Sequence, residues 1–132
     1  MDNAKRLTLE TLVAKAEQRK QDRYEMHQVE VPSLGGALQL EKIPLTRIAS
    51  MMDDLGDTSM AANLAFNVEL IYACCPMMRN KQLQDAHEVA EPTDIVCAVL
   101  DDNMADINRI VAAILDMYGL ADATGIKDAV KN

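Results

Sequence analysis

The stretch HEVAEPTDIVCAVLDDN, residues 87 to 103, gathers the side chains of this sequence best suited to chemistry: His87, Glu88, Glu91, Asp94, Cys97, Asp101 and Asp102. A thiol activated by an imidazole base makes a nucleophile, so Cys97 with His87 is the pair to weigh first. Such a pair needs a third group to orient the base, and no local signature such as Gly-x-Ser-x-Gly accompanies it. Cys97 also lies in the apolar run Ile95, Val96, Val99, Leu100, where a structural cysteine is expected. Asp101, Asp102 and Asp106 offer oxygens to calcium, but the glycine turn and closing glutamate of an EF-hand loop are missing. Helix ends account for these acids better. Pro92 suits a first helical turn, Thr93 and Asp94 fall near the positive end of the dipole, and Asp102 or Asn103 can cap the helix that follows.

The remaining reactive side chains are scattered. A zinc or iron site needs converging ligands, whereas His27 and His87 are far apart and Cys74-Cys75 lacks the two intervening residues of a chelating Cys-x-x-Cys. No cofactor is expected. Three cysteines, an odd number with two adjacent, fit a reducing cytoplasm better than a disulfide framework and read as small buried hydrophobes. Gly35-Gly36 lacks the Gly-x-x-x-x-Gly-Lys pattern of a phosphate loop and reads as a turn. The nine methionines are the other peculiarity. Met51-Met52 and Met77-Met78 are not expected to turn both members of each pair inward on a helix, which leaves some thioether near the surface. Two explanations stand: gap-filling in a core poor in aromatics, or an adaptable partner-binding surface made of Met51, Met52, Met77 and Met78.

The elements that must position these residues follow from periodicity. After Thr8, Leu9, Leu12, Val13 and Ala16 mark an amphipathic helix that becomes charged towards Arg23. In MHQVEVPSLGGALQLEKIP, Val29 and Val31, then Leu38 and Leu40, alternate with polar residues around Pro32 to Gly36, predicting a two-stranded hairpin over about 27–43 in which both glycines permit positive φ. From Leu45 the spacing becomes helical, with Leu45, Ile48, Ala49, Met52 and Leu55 on one face before Gly56. Thr58 or Ser59 then caps a long helix with Met60, Leu64, Val68, Ile71, Tyr72 and Cys75 inward, disrupted by Pro76. Asn80 caps a short helix through Leu83 and Ala86, another begins at Pro92, and the last carries Met104, Ile107, Ile110, Val111, Ile114, Leu115 and Tyr118 up to the stop at Gly119. The expectation is one predominantly α-helical domain of five or six helices over residues 1–119, with one small hairpin near its N-terminal third and a flexible tail over 120–132.

Composition bounds the function. A chain of 132 residues with 49% hydrophobic and 26% charged residues can bury a core without disulfide or metal. Thirteen basic against twenty-one acidic side chains give −8, which repels phosphate and argues against nucleic-acid binding. The imbalance is uneven. Residues 1–23 hold six basic and four acidic side chains, for +2, while residues 24–132 hold seven and seventeen, for −10. The first helix can therefore dock on its own acidic body or on an acidic partner, or simply present a solvated face. The opening residues lack the apolar core of a signal peptide, and LIYACCPMM at 70–78 is too short to span a membrane.

Three blocks in order, VEVPSLGGALQLEKIPL, RNKQLQDAHEVAEPTDIV and LDDNMADINRIVAAILDMYGL, resemble the XkdN-like tail assembly chaperones of tailed phages and phage-derived particles. The resemblance spans most of residues 7 to 120. It implies a non-enzymatic protein of the bacterial cytoplasm that binds the tape measure protein, a long helical chain, and keeps it soluble until tail tube subunits polymerise around it. Tail tube subunits are a second partner to consider, and self-association is left open. The family supplies no catalytic residues to carry over. The alternatives are a structural tail component retained in the particle and a small thiol enzyme using Cys97 with His87.

Overall fold

The computed structural model of the chain describes residues 6–22, 27–56 and 58–120. Six α-helices and one antiparallel hairpin follow in the order α1 (Leu9–Asp22), β1 (His27–Val31), β2 (Gly36–Leu40), α2 (Leu45–Asp53), α3 (Met60–Cys74), α4 (Lys81–Ala86), α5 (Ile95–Val99) and α6 (Met104–Asp116). Short 3-10 turns at Pro32–Leu34, Pro76–Arg79 and Pro92–Asp94 each begin with a proline, whose fixed φ and missing N–H suit a first turn. The predominantly helical domain with one hairpin is thus the observed architecture. Residues 121–132, most of the expected tail, lie outside the described residues; Leu120, assigned to that tail, instead packs against the core.

The hairpin forms as its alternation requires. Val29 pairs with Leu38 and Val31 with Gly36, so that Val29, Val31, Leu38 and Leu40 all fall on one face, and all four are buried. Burying a side chain of this kind contributes about 1.5–3 kcal/mol, which a lone two-stranded ribbon in water does not obtain. The cover comes from α6, whose Ile107, Ile110, Val111, Ile114 and Leu115 are buried in the same core. Behind α6 packs α3, through Phe66, Leu70, Ile71, Ala73 and Cys74. The face expected for α3 holds at the buried Ile71 and Cys75, with Leu64, Val68 and Tyr72 partly covered against the core, and is corrected at Met60, which is exposed. The helix MAANLAFNVELIYAC is apolar on most sides, so its spacing does not single out one face. In α2 the stripe is Ile48, Met51 and Met52, with Leu45 and Ala49 exposed.

Helix starts follow the sequence closely. The backbone N–H groups of Thr11, Ala62, Leu83 and Asp106 donate to the side-chain oxygens of Thr8, Ser59, Asn80 and Asn103, at 3.1 to 3.2 Å. Glu91 N–H donates to Asp94 Oδ2 at 3.1 Å, so that acid serves the helix entry. Helix ends hold a surprise. Leu120 N–H reaches Leu115 C=O and Gly119 N–H reaches Asp116 C=O, the Schellman arrangement with glycine in the left-handed position. The same pair of bonds recurs after α5, from Asp102 to Cys97 and Asp101 to Ala98, and after α4, from Val89 to Gln84 and Glu88 to Asp85. There the left-handed residues are Asp101 (φ 53°) and Glu88 (φ 53°), and Asp102 adds a second (φ 56°). The stretch 87–103 is thus a capped turn, a helix and a junction.

Two predictions follow from backbone geometry. Gly35 alone of the turn pair takes positive φ (72°), while Gly36 opens β2 with free space where a Cβ would stand, which corrects the expectation for Gly36. Thermal melts should show Gly35→Val destabilised by about 1–2 kcal/mol and Gly36→Val within roughly 0.5 kcal/mol of the parent. Conversely, Asp101→Gly and Glu88→Gly relieve left-handed strain and should each raise stability by up to about 1 kcal/mol, read in urea unfolding midpoints; a loss in both would show that the carboxylates stabilise their turns more than the strain costs.

Candidate docking surface

The four methionines expected to form a partner surface are not arranged as one. Met51 and Met52 are 6% and 9% exposed and Met78 is 1% exposed, all within the core, whereas Met77 is 55% exposed. Residues 51 and 52 are about 100° apart around the α2 axis and both fit a broad apolar stripe, so the expectation that one of them turns outward fails. The second pair sits in the 3-10 turn, where neighbours lie about 120° apart and one faces the core while the other faces out.

Met77 instead belongs to an apolar cleft of about 260 Å³. Its walls are Leu34 and Ala37 of the hairpin tip, Met77 and Met78, Leu83 of α4 and Val99 of α5. Leu34 is also exposed, at 43%, so the cleft opens outward. A polar frame holds the 3-10 turn in place. Arg79 donates through Nη1 to the carbonyls of Tyr72 (2.9 Å) and Ala73 (2.7 Å), at the C-terminal end of α3, and through Nη2 to Glu41 Oε1 at 2.7 Å. This cation meets the negative end of the helix dipole and its unsatisfied carbonyls together. Gln84 Nε2 donates to Met78 C=O at 3.0 Å, tying α4 to the same turn.

A second apolar surface is the face of the amphipathic helix α1, for which docking on its own body, docking on a partner and a solvated face all stood open. Leu9, Leu12 and Val13 of α1 are 78%, 52% and 53% exposed, and no residue of that helix is buried. Leu7, Leu12 and Ala16 border a shallow depression shared with Lys15, Arg19 and Lys20. The helix therefore does not lie on its own acidic body. Sequence reasoning missed the cleft because Leu34, Leu83 and Val99 come from three separate elements and each reads as ordinary core.

The reactive groups give no catalytic arrangement among the described residues. Burial pushes the Cys74 thiol up to about 11 and raises Cys75 as well. Cys97 is raised by burial and then by the carboxylates of Asp102 and Asp94, the reverse of the environment that makes a thiolate. His87 is exposed at the end of α4, and no hydrogen bond joins it to Cys97. No three His, Cys, Asp or Glu side chains gather as metal ligands among the described residues. No described helix is long and apolar enough to cross a membrane. Comparison with family models, curated proteins and solved structures gives no match.

The raised thiols generate a pH dependence. A thiol whose folded pKa exceeds its unfolded value keeps the folded state favoured in full below the unfolded value, and that contribution disappears as pH rises through the folded one. For Cys74 the window runs from the ordinary 9.0 to about 11. Folding stability should therefore fall above that lower value, at up to about 1.4 kcal/mol per pH unit for each buried thiol, and the melting temperature with it. Cys74→Ala with Cys75→Ala should flatten the alkaline limb, measured by thermal melts over the range; a limb of unchanged slope would assign the loss to other groups, Tyr118 first among them, whose hydroxyl burial also raises.

Proposed function

We propose that this protein is a tail assembly chaperone of phage or phage-like particles, holding the tape measure protein soluble in the host cytoplasm until tail tube subunits enclose it. The partner comes from the resemblance of the three ordered blocks. The structural observation that supports the reading is the amount of apolar surface left uncovered in so small a domain: the open face of α1 and the cleft beside Met77. A tape measure chain is long, helical and apolar along one side, and aggregates unless that side is covered. A cleft walled by methionine and aliphatic side chains can receive many related helical stretches, since flexible thioethers repack around different side chains. The net charge of −8 keeps a crowded complex dispersed. In this reading the contact surface is Leu34, Met77, Leu83 and Val99 in place of the four methionines.

The test is coexpression with the tape measure protein encoded in the same cluster. The tape measure protein should become soluble only with this chain present and should co-elute with it in gel filtration; equal solubility without it sinks the proposal. Leu34→Glu with Met77→Glu should cut the co-soluble yield while circular dichroism of the isolated chain stays unchanged, because both side chains are exposed. Mass spectrometry of purified particles should find little of the protein; stoichiometric amounts would favour a structural tail component.

A further inference from the structure

We propose that a second copy of this chain covers α1: each copy seats its α1 in the cleft of the other, beside Met77, in a reciprocal dimer. The need for a cover comes from the helix itself. Fourteen residues without tertiary packing are marginal as a helix in water, and three large aliphatic side chains on one face stay wet. The kind of cover comes from the pattern on that face. At 100° per residue, Leu9, Leu12, Val13 and Ala16 share one side, and Arg19 and Lys20 continue it in the last turn, Lys20 beside Glu17 at 3.5 Å and Arg19 in no salt bridge among the described residues. The receptor must therefore be apolar along part of its length and acidic beyond.

The body of this same chain meets that description. Residues 24–132 carry −10. Around the cleft, the basic side chains Arg79 and Lys81 are already paired, with Glu41 and Asp85, each at 2.7 Å. The acidic side chains there make no salt bridge among the described residues: Glu30, cross-strand partner of the cleft residue Ala37, and Asp101 and Asp102, which follow the cleft residue Val99. The cleft is thus apolar within, and acidic residues adjoin two of its walls, across the strand pair at Ala37 and along the chain after Val99. Pairing two α1 helices with each other is less favourable on the same grounds. A parallel pair sets Arg19 and Lys20 against their own copies, and an antiparallel pair sets them against Leu9 and Leu12. Reciprocal exchange uses one surface pair twice and closes with twofold symmetry, leaving neither apolar surface open.

The dimer needs no tape measure protein, so it stands or falls separately from the chaperone reading. Sedimentation equilibrium of the full chain should show a monomer–dimer equilibrium whose dissociation constant rises with salt, as contacts between exposed charges are screened. Leu12→Glu in α1 and Met77→Glu in the cleft should each weaken the dimer at least about tenfold while the body still melts cooperatively, any loss of circular dichroism staying within the share of the fourteen residues of α1. A mixture of the two variants should associate better than either alone, because a mixed dimer retains one contact with both surfaces intact. A chain that is monomeric at every concentration overturns the proposal. So does a dimer indifferent to Met77→Glu, which would mean pairing through α1 alone, and so does a mixture no better than its components.

Discussion

A two-stranded hairpin is not stable in water by itself, and the arrangement of this protein follows from how its single hairpin is covered. The helix α6 lies along the inner face and is fixed to the hairpin at both ends. At its first turn the buried Asp106 accepts a hydrogen bond from Ser33 Oγ, at the hairpin tip, at 2.6 Å. Just past its last turn the Tyr118 hydroxyl accepts from Ile43 N–H and donates to Ile43 C=O, both at 2.7 Å. The twelve-residue step from Asp106 to Tyr118 covers about 18 Å at helical rise, so two polar contacts set the register of strand against helix while the aliphatic side chains between supply the adhesion. The chain leaving β2 is held again where Glu41 N–H donates to Cys74 C=O at 2.8 Å, which draws in the end of α3.

That frame was readable in the sequence where a local rule and a tertiary need agree. Val29, Val31, Leu38 and Leu40 alternate because one sheet face is buried, and Ser59, Asn80 and Asn103 stand where a helix needs an acceptor. The reading fails where several conformations satisfy the same pattern. An almost wholly apolar α3 offers more than one possible inner face, and only packing selects Phe66 and Leu70 over Met60. Helix ends built on Glu88 and Asp101 carry no glycine to announce them. The candidate surface was hardest of all, because periodicity says that a stripe is apolar but not what covers it. Leu9, Leu12 and Val13 obey the same spacing as the core face of α6 and stay exposed.

The composition of the core bears on the surface. With a single phenylalanine, buried at position 66, and no tryptophan, the interior is filled by branched aliphatics and by Met51, Met52 and Met78. Methionine packs by adjusting three rotatable bonds, so the same residues that fill gaps inside can yield to a neighbour at the margin. Met78 is buried yet lines the cleft, with Met77 beside it in solvent. The floor of the cleft is therefore soft while its frame is stiff, since Arg79 ties the turn to the end of α3 and to Glu41 by three hydrogen bonds and Gln84 of α4 holds Met78 C=O by a fourth.

A soft floor within a stiff frame has an energetic consequence for any occupant. Side chains that adapt recover contact with ligands of different shape, but each must give up rotamer freedom to do so, and this cost sets a ceiling on affinity. A helix from a second copy and a helix from a client would meet the same ceiling and compete for the same cleft. In the proposed dimer the second copy would bring the basic last turn of α1; a client of the proposed kind would bring repeated apolar stretches along one chain, which would raise its effective concentration once the first is bound. An exposed α1 that dimerises weakly would then protect both apolar surfaces in the free protein and leave them available to a long client. Under these two proposals, charge would decide which contact forms first, and repetition which persists.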